Sequence, residues 1–317
     1  MFDIFENYAQ QQDSQEPAQS GSGGFHGDVF VVSVGGSLFF KARPDTEKIR
    51  EFARTISSLR SSGKKFVLVV GGGRPAREYV EAMASAGANN FEQDLMGIKI
   101  TRANALIVAA AIPEAHREVL TEITRAKEII DSGKIPVFGG LMPFFTTDAV
   151  GALISEFLGA TFVNLTNVDG IYDADPSDFP DAKRFEEISY EKLISLILES
   201  GSRPGQNVVL DLACCLILQR SSIKAVVLDG NSLENFSSFV NGSSFTGTLI
   251  GGADRETDEF EPARKTVKRT VRRVYGRKTP ARASKPKRKT SSKRGTARRA
   301  NAVKDDYEAP DPYKIDY

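Results

Sequence analysis

Two cysteines and two histidines are all that 317 residues hold of these types, and where they fall excludes several kinds of chemistry. Cys214 and Cys215 are adjacent, so they cannot frame a disulfide scaffold, and a bridge between neighbours would be strained. A reducing compartment fits them best, with both read as small core residues. Neither His26 nor His116 stands in a cluster with Cys or carboxylates, which leaves a zinc site or a Ser–His–Asp triad without support. His116 reads as a solvated helix residue. No apolar run reaches the length of a membrane span, and the N-terminus lacks a basic-then-apolar signal, so the expectation is a cytoplasmic protein with no membrane contact. Both standard nucleotide fingerprints are missing too. Gly35-Gly36-Ser37 lacks the Lys-Ser/Thr ending of a Walker loop, and neither it nor Gly71-Gly72-Gly73 has the dinucleotide spacing.

Net charge is also nearly absent, at +1, but this figure hides a division. Residues 264–304 hold 18 Lys/Arg and no Asp/Glu, so the remainder of the chain sums to −17. Residues 1–27 are rich in Gln, Ser and Gly without a sustained period, and read as a disordered leader. Its acidic Asp3, Glu6, Asp13 and Glu16 argue against an organelle transit peptide. Residues 253–317 lose apolar periodicity and read as a disordered tail, strongly basic over 264–304. With Tyr275 the single aromatic of its basic stretch and no helical stripe, nucleic-acid contact there would be electrostatic and sequence-tolerant. Folding back onto the acidic remainder is the alternative.

Between these ends, residues 28–252 alternate short apolar runs with helical spacing, and 40% hydrophobic residues suffice for a sizeable core. Val29–Val34, Phe66–Val70, Ile135–Phe138, Thr161–Leu165, Ile223–Leu228 and Gly247–Ile250 read as strands. Thr46–Arg60, Arg74–Ala86, Thr147–Leu158, Tyr190–Leu198 and Val209–Gln219 read as helices, and a long helix begins near Asp94. The alternation predicts an α/β fold with a mostly parallel sheet covered on both faces. Ligands in such sheets sit at strand C-terminal ends, where the glycine turns fall.

Gly35-Gly36-Ser37 and Gly71-Gly72-Gly73 each follow an apolar run, and backbone N–H groups in such turns can close on phosphate oxygens. Pro75 suits a first helical turn, and Arg77 lies one turn in from the helix start, within reach of an anion there. A tight turn with surface arginines is the plain alternative. Thr146-Thr147-Asp148 opens a helix after Gly139-Gly140, where helix capping alone would also explain the residues. The polar cluster from Thr166 to Pro176 is either an ordinary turn or, with an aromatic ring among carboxylates, a seat for a purine and its ribose. Polar residues among core positions of the segment Asp94–Ala105 need partners, which a ligand or subunit could supply.

With GGS at 35–37, GGGRPAR at 71–77, DLMGIKITRANA at 94–105, PFFTTDA at 143–149, TNVDGIYDADP at 166–176 and GTLI at 247–250, the chain resembles the uridylate (UMP) kinases of bacteria and archaea, in the amino acid kinase superfamily. The resemblance implies a three-layer αβα sandwich, ATP with Mg²⁺, UMP as acceptor, UDP and ADP as products, and a homohexamer. It implies an ATP site at Gly35, Gly36, Ser37, Gly73, Arg77, Thr166, Asn167, Tyr172 and Asp175. It implies a UMP site at Gly72, Asp94, Leu141, Met142, Pro143, Phe144, Phe145, Thr146 and Thr147, with Asp148 and Arg77 as the catalytic pair and no metal ligand assigned. Two positions depart from the wider superfamily: Ser33 and Leu216 stand where many members carry lysine. Arg77, Lys41 or Mg²⁺ would then supply the positive charge that spreading phosphoryl charge needs. A catalytically weak nucleotide-binding relative, with its basic tail on nucleic acid, is the alternative reading.

Overall fold

A computed structural model describes residues 29–174, 176, 179, 181–200 and 209–251. The leader and tail assigned from sequence lie outside the described residues. In chain order the described elements are β1 (Val29–Val34), α1 (Gly36–Phe39), α2 (Thr46–Ser61), β2 (Lys65–Val70), α3 (Gly73–Ser85), α4 (Asn90–Ala111), β3 (Ala115–Leu120), α5 (Arg125–Asp131) and β4 (Ile135–Phe138). There follow α6 (Thr147–Leu158), β5 (Thr161–Thr166), β6 (Glu187–Ile188), α7 (Tyr190–Ser200), α8 (Leu212–Arg220), β7 (Ala225–Asp229), α9 (Leu233–Val240) and β8 (Thr248–Ile250).

The eight strands form one sheet in the order β3-β4-β2-β1-β5-β7-β8-β6. From β3 to β7 every neighbouring pair is parallel, and only β8 runs antiparallel to β7. Central strands of such a sheet are covered on both faces, which is why VFVVSV and KFVLVV read as nearly continuous apolar runs. Alternate residues sort them. Phe30, Val32 and Val34 pack with α2, α4 and α9 through Phe52, Ile56, Val108 and Phe236, while Val31, Val67 and Val69 face Ile129 of α5 and Val150 and Ile154 of α6. Further along that second face, Phe162 and Val227 meet Leu193 of α7 and Leu218 of α8. The result is the three-layer αβα sandwich. Cys214 and Cys215 are unpaired and buried in this last cluster, and burial raises both thiols, Cys215 to about 12, so they behave as core residues.

Side-chain caps fix where the helices begin. Asp45 accepts from Lys48 N–H, Asn89 and Glu92 form a reciprocal capping box, and Thr146 and Asp211 cap α6 and α8. Two sequence expectations are corrected. AHREVL forms the edge strand β3, so His116 belongs to a strand and is not a solvated helix residue. The helix expected to begin near Asp94 begins earlier, at Asn90, and the loop after Thr166 holds an antiparallel bridge between Tyr172 and Arg184.

Candidate active site

Because β4, β2, β1 and β5 are parallel neighbours, the segments leaving their C-terminal ends all emerge along one edge of the sheet. Those segments are Gly139-Gly140, Gly71-Gly72-Gly73, Gly35-Gly36-Ser37 and Thr166-Asn167. The first two glycine turns of the chain touch through their backbones. A Cβ on Gly36 would stand 2.1 Å from Gly73 N and 2.6 Å from Gly71 C, and one on Gly71 would stand 2.7 Å from Gly36 N. Gly73 adds a φ of +63°, in the left-handed region open to glycine. Two N–H groups of this knot serve the sheet, Gly35 donating to Leu165 O at 2.8 Å and Gly71 to Val34 O at 3.0 Å. Among the described residues no acceptor takes the N–H of Gly36, Ser37, Gly72 or Gly73. Such donors at the start of the 13-residue helix α3 suit an anion.

Beside this knot lies a cleft of about 420 Å³ lined by Ser37, Leu38, Phe40, Lys41, Arg74, Arg77, Asn167 and Asn231. Its lining has three cations and no carboxylate. Arg74 is paired with Glu78 at 2.6 Å, whereas Lys41 and Arg77 have no ion-pair partner among the described residues. Asn231 is fixed from both sides, accepting from Lys48 Nζ at 2.8 Å and donating to Asp229 Oδ1 at 2.8 Å. Thr166 donates to Asn167 Oδ1 at 3.3 Å, and Tyr172 gives its hydroxyl to Asp169 Oδ1 at 2.9 Å.

The other half of the edge is built by α4. Asn104 Nδ2 donates to Gly71 O and Gly72 O, both at 3.0 Å, Thr101 Oγ1 accepts from Gly140 N at 2.7 Å, and Arg102 Nε donates to Gly140 O at 3.0 Å. Thr101, Arg102 and Asn104 thus find partners inside the chain, on the carbonyls and amides of two glycine turns. Asp94, at the far end of the same helix, accepts from Phe144 N at 2.8 Å. Phe144 has φ +76° and is 82% exposed, a strained and solvent-facing placement for an aromatic residue. The loop Leu141–Thr147 is therefore held by α4 through Arg102 on Leu141 O and through Asp94.

At the junction stands Asp148, in the first turn of α6. Its Oδ1 accepts from Ser33 Oγ at 2.6 Å, and the Asn164 amide also favours the ionised carboxylate. The residue keeps partial contact with solvent, but its carboxyl is desolvated, and this pushes the pKa up to about 6; the nearby Asp211 charge adds to the push and the Ser33 hydroxyl and Asn164 amide oppose it. Asp211 accepts the Thr146 hydroxyl and caps α8 through Cys214 N at 3.0 Å, so it joins the loop 141–147 to α8.

A family model described as the amino acid kinase family matches residues 28–229. The chain belongs to the amino acid kinase family. Within that family it is 41% identical to a uridylate kinase of Archaeoglobus fulgidus over 221 residues, spanning 69% of this chain and 98% of the relative. It is 38% identical to a uridylate kinase of Methanocaldococcus jannaschii over 225 residues, spanning 70% and 99%. The crystal structure of uridylate kinase from Archaeoglobus fulgidus superposes with a TM-score of 0.63 at 40% identity, covering 70% of this chain and 99% of that one. A UMP kinase structure from Bacillus anthracis, at 20% identity and TM-score 0.62, shares the fold.

In this amino acid kinase the residues singled out from sequence gather on the one edge, with Gly35, Gly36, Ser37, Gly72, Gly73 and Arg77 around the knot and cleft, and Leu141–Thr147 with Asp94 on the α4 side. Asp175 lies outside the described residues. Sequence reasoning assigned no role to Asn164, Asp211, Asn104 or Asn231. A polar residue inside the apolar run TFVNLT was the available signal for Asn164, and an Asp preceding a helix gave no more than a capping signal for Asp211.

Proposed function

We propose that the chain transfers the γ-phosphoryl group of ATP to UMP, giving ADP and UDP, and we assign this activity to residues 28–252. The observation that carries the proposal is the 2.6 Å hydrogen bond between Ser33 and Asp148. Ser33 lies two residues before the first glycine turn, and Asp148 directly follows Thr146-Thr147, so this bond joins the polyphosphate side of the edge to the loop assigned to the acceptor. Gly35, Gly36, Ser37, Gly73 and Arg77 receive the ATP phosphates, and Thr166, Asn167, Tyr172 and Asp175 the base and ribose. Gly72, Asp94 and Leu141–Thr147 receive UMP.

The chemistry asks for position and positive charge. A phosphate monoester has a second pKa of about 6, so the acceptor arrives ionised and needs no general base, in keeping with a site that has no histidine. Lys41 and Arg77, with no competing carboxylate in the cleft, supply charge to the transferring group in place of the two superfamily lysines. The Leu216 position contributes no cation and is solvent-exposed. Mg²⁺ accompanying ATP would add positive charge at the transferring phosphoryl group beside Lys41 and Arg77.

Two further parts of the proposal concern the assembly and its setting. Tyr79 of α3 and Phe91, Leu95, Leu106 and Ile107 of α4 are exposed apolar side chains on adjoining helices, which supports a homo-oligomer, read as a hexamer. The 18 Lys/Arg of residues 264–304 support salt-sensitive binding of nucleic acid, and the unpaired buried cysteines fit the cytoplasm. Asp148→Asn tests the catalytic assignment: kcat is expected to fall at least about 100-fold while UMP affinity changes less than about threefold. Equal losses in both would remove the role.

A further inference from the structure

Ser33 and Asn164 are polar residues inside the two central strands, 1% and 2% exposed, in runs whose other interior members are mostly apolar. They are also direct partners in the parallel β1–β5 ladder. Both project to the face that carries α6, as do Val31 and Phe162 two residues earlier in each strand. A hydroxyl and an amide placed there would cost stability without partners, and valine at either position would pack against α6 at no such cost. Their shared partner is the Asp148 carboxylate, which Ser33 meets at 2.6 Å and whose ionised form the Asn164 amide also favours.

We infer that Ser33 and Asn164 are positioning residues that hold the Asp148 carboxylate, ionised and in one orientation, at the junction of the two nucleotide sites. The inference rests on the phosphoryl-transfer reading for its consequence in turnover, but the geometry it describes stands apart from that reading. Two neutral donors in register on adjacent strands leave the carboxylate little rotation and give it no neutralising cation. The titratable groups that face it are Asp211, at the start of α8, and the thiols of Cys214 and Cys215, whose titration burial places above the physiological range. Asp211 and desolvation push Asp148 toward protonation, and the Ser33 hydroxyl and Asn164 amide are what oppose them. Removing either donor moves the carboxyl further from its ionised form.

The experiment is a pH titration of the full chain carrying 13C-labelled aspartate carboxyls, with Asp148→Asn used to assign the resonance, run beside kcat–pH profiles with ATP, Mg²⁺ and UMP. In the parent the Asp148 carboxyl titrates with a midpoint of about 6. In Ser33→Ala the midpoint rises by about one pH unit, so kcat at pH 6 falls about fivefold further below its value at pH 8.5 than in the parent. Ser33→Thr keeps the hydroxyl and restores both curves, and Asn164→Ala shifts them in the same direction as Ser33→Ala. An unmoved midpoint in both alanine variants overturns the inference, as does a moved midpoint with an unmoved acid limb of kcat in an active enzyme. If the parent forms no UDP, the phosphoryl-transfer reading fails by itself, and the carboxyl titration still decides whether Ser33 and Asn164 hold Asp148.

Discussion

Asp148 illustrates how a single side chain can trade stability for a function. Its carboxyl titrates near 3.8 in an ordinary setting and near 6 here, so between those values the folded chain keeps a proton that the unfolded chain has shed. The protonated side chain is accommodated fully at pH 4, and stability is lost as pH rises from about 4 through about 6. Asp148→Asn removes that loss while still accepting from Ser33. At pH 8 the variant is expected to be more stable than the parent by about 1–3 kcal/mol, with little difference at pH 4, as read by urea unfolding at both values. A variant less stable at pH 8 than the parent would contradict the desolvation argument. Residue types at this scale were readable in part. Thr146, Asp148 and the glycines stood out in sequence by their position after strands. Ser33 stood out only as a place without the superfamily lysine and Asn164 not at all, because register across β1 and β5, and hence their convergence on one carboxylate, exists only once the strands pair.

At the scale of elements, the two glycine turns serve two needs at once. Sequence reasoning gave them one purpose, leaving N–H groups open to phosphate, but Gly36, Gly71 and Gly73 are also required because the turns touch backbone to backbone. Gly36→Ala places a methyl 2.1 Å from Gly73 N, against backbone on both sides, where no side-chain rotation relieves it. The expected result is a loss of about 2–4 kcal/mol in stability, or failure to fold, measured by thermal unfolding. Unchanged stability would mean that the turns do not interlock. Buried strands such as Val29–Val34 and Ile135–Phe138 were legible to the residue because both faces of each are covered and the apolar runs are bounded by turns. The edge strand β3 was not, since AHREVL has four partly or fully exposed residues and only its ends are buried. The polar residues of α4 were recognised as needing partners, but their targets are backbone groups of turns some 30 to 40 residues away in sequence, which no local pattern encodes.

For the whole molecule, the sheet order brings four loops to one edge, and the helices α3 and α4 leave apolar side chains toward solvent. Phe91, Leu95 and Leu106 fall within about 60° of one another around the α4 axis. If the proposed homo-oligomer closes on these side chains, Leu106→Glu lowers it to a smaller species in light scattering after gel filtration, at unchanged fold by circular dichroism; an unaltered mass would contradict that placement. The alternation of strand and helix made the αβα class readable from sequence, whereas these exposed side chains were not, because helix burial depends on which neighbours the fold leaves vacant. Phosphate moves from ATP to UMP at this edge. The most direct test is 31P NMR of the full chain with ATP, Mg²⁺ and UMP, alongside CMP, AMP and GMP as acceptors. UDP and ADP are expected in equal amounts, with UMP the preferred acceptor. UMP bound tightly with ATP left intact, and no UDP formed, would contradict this transfer.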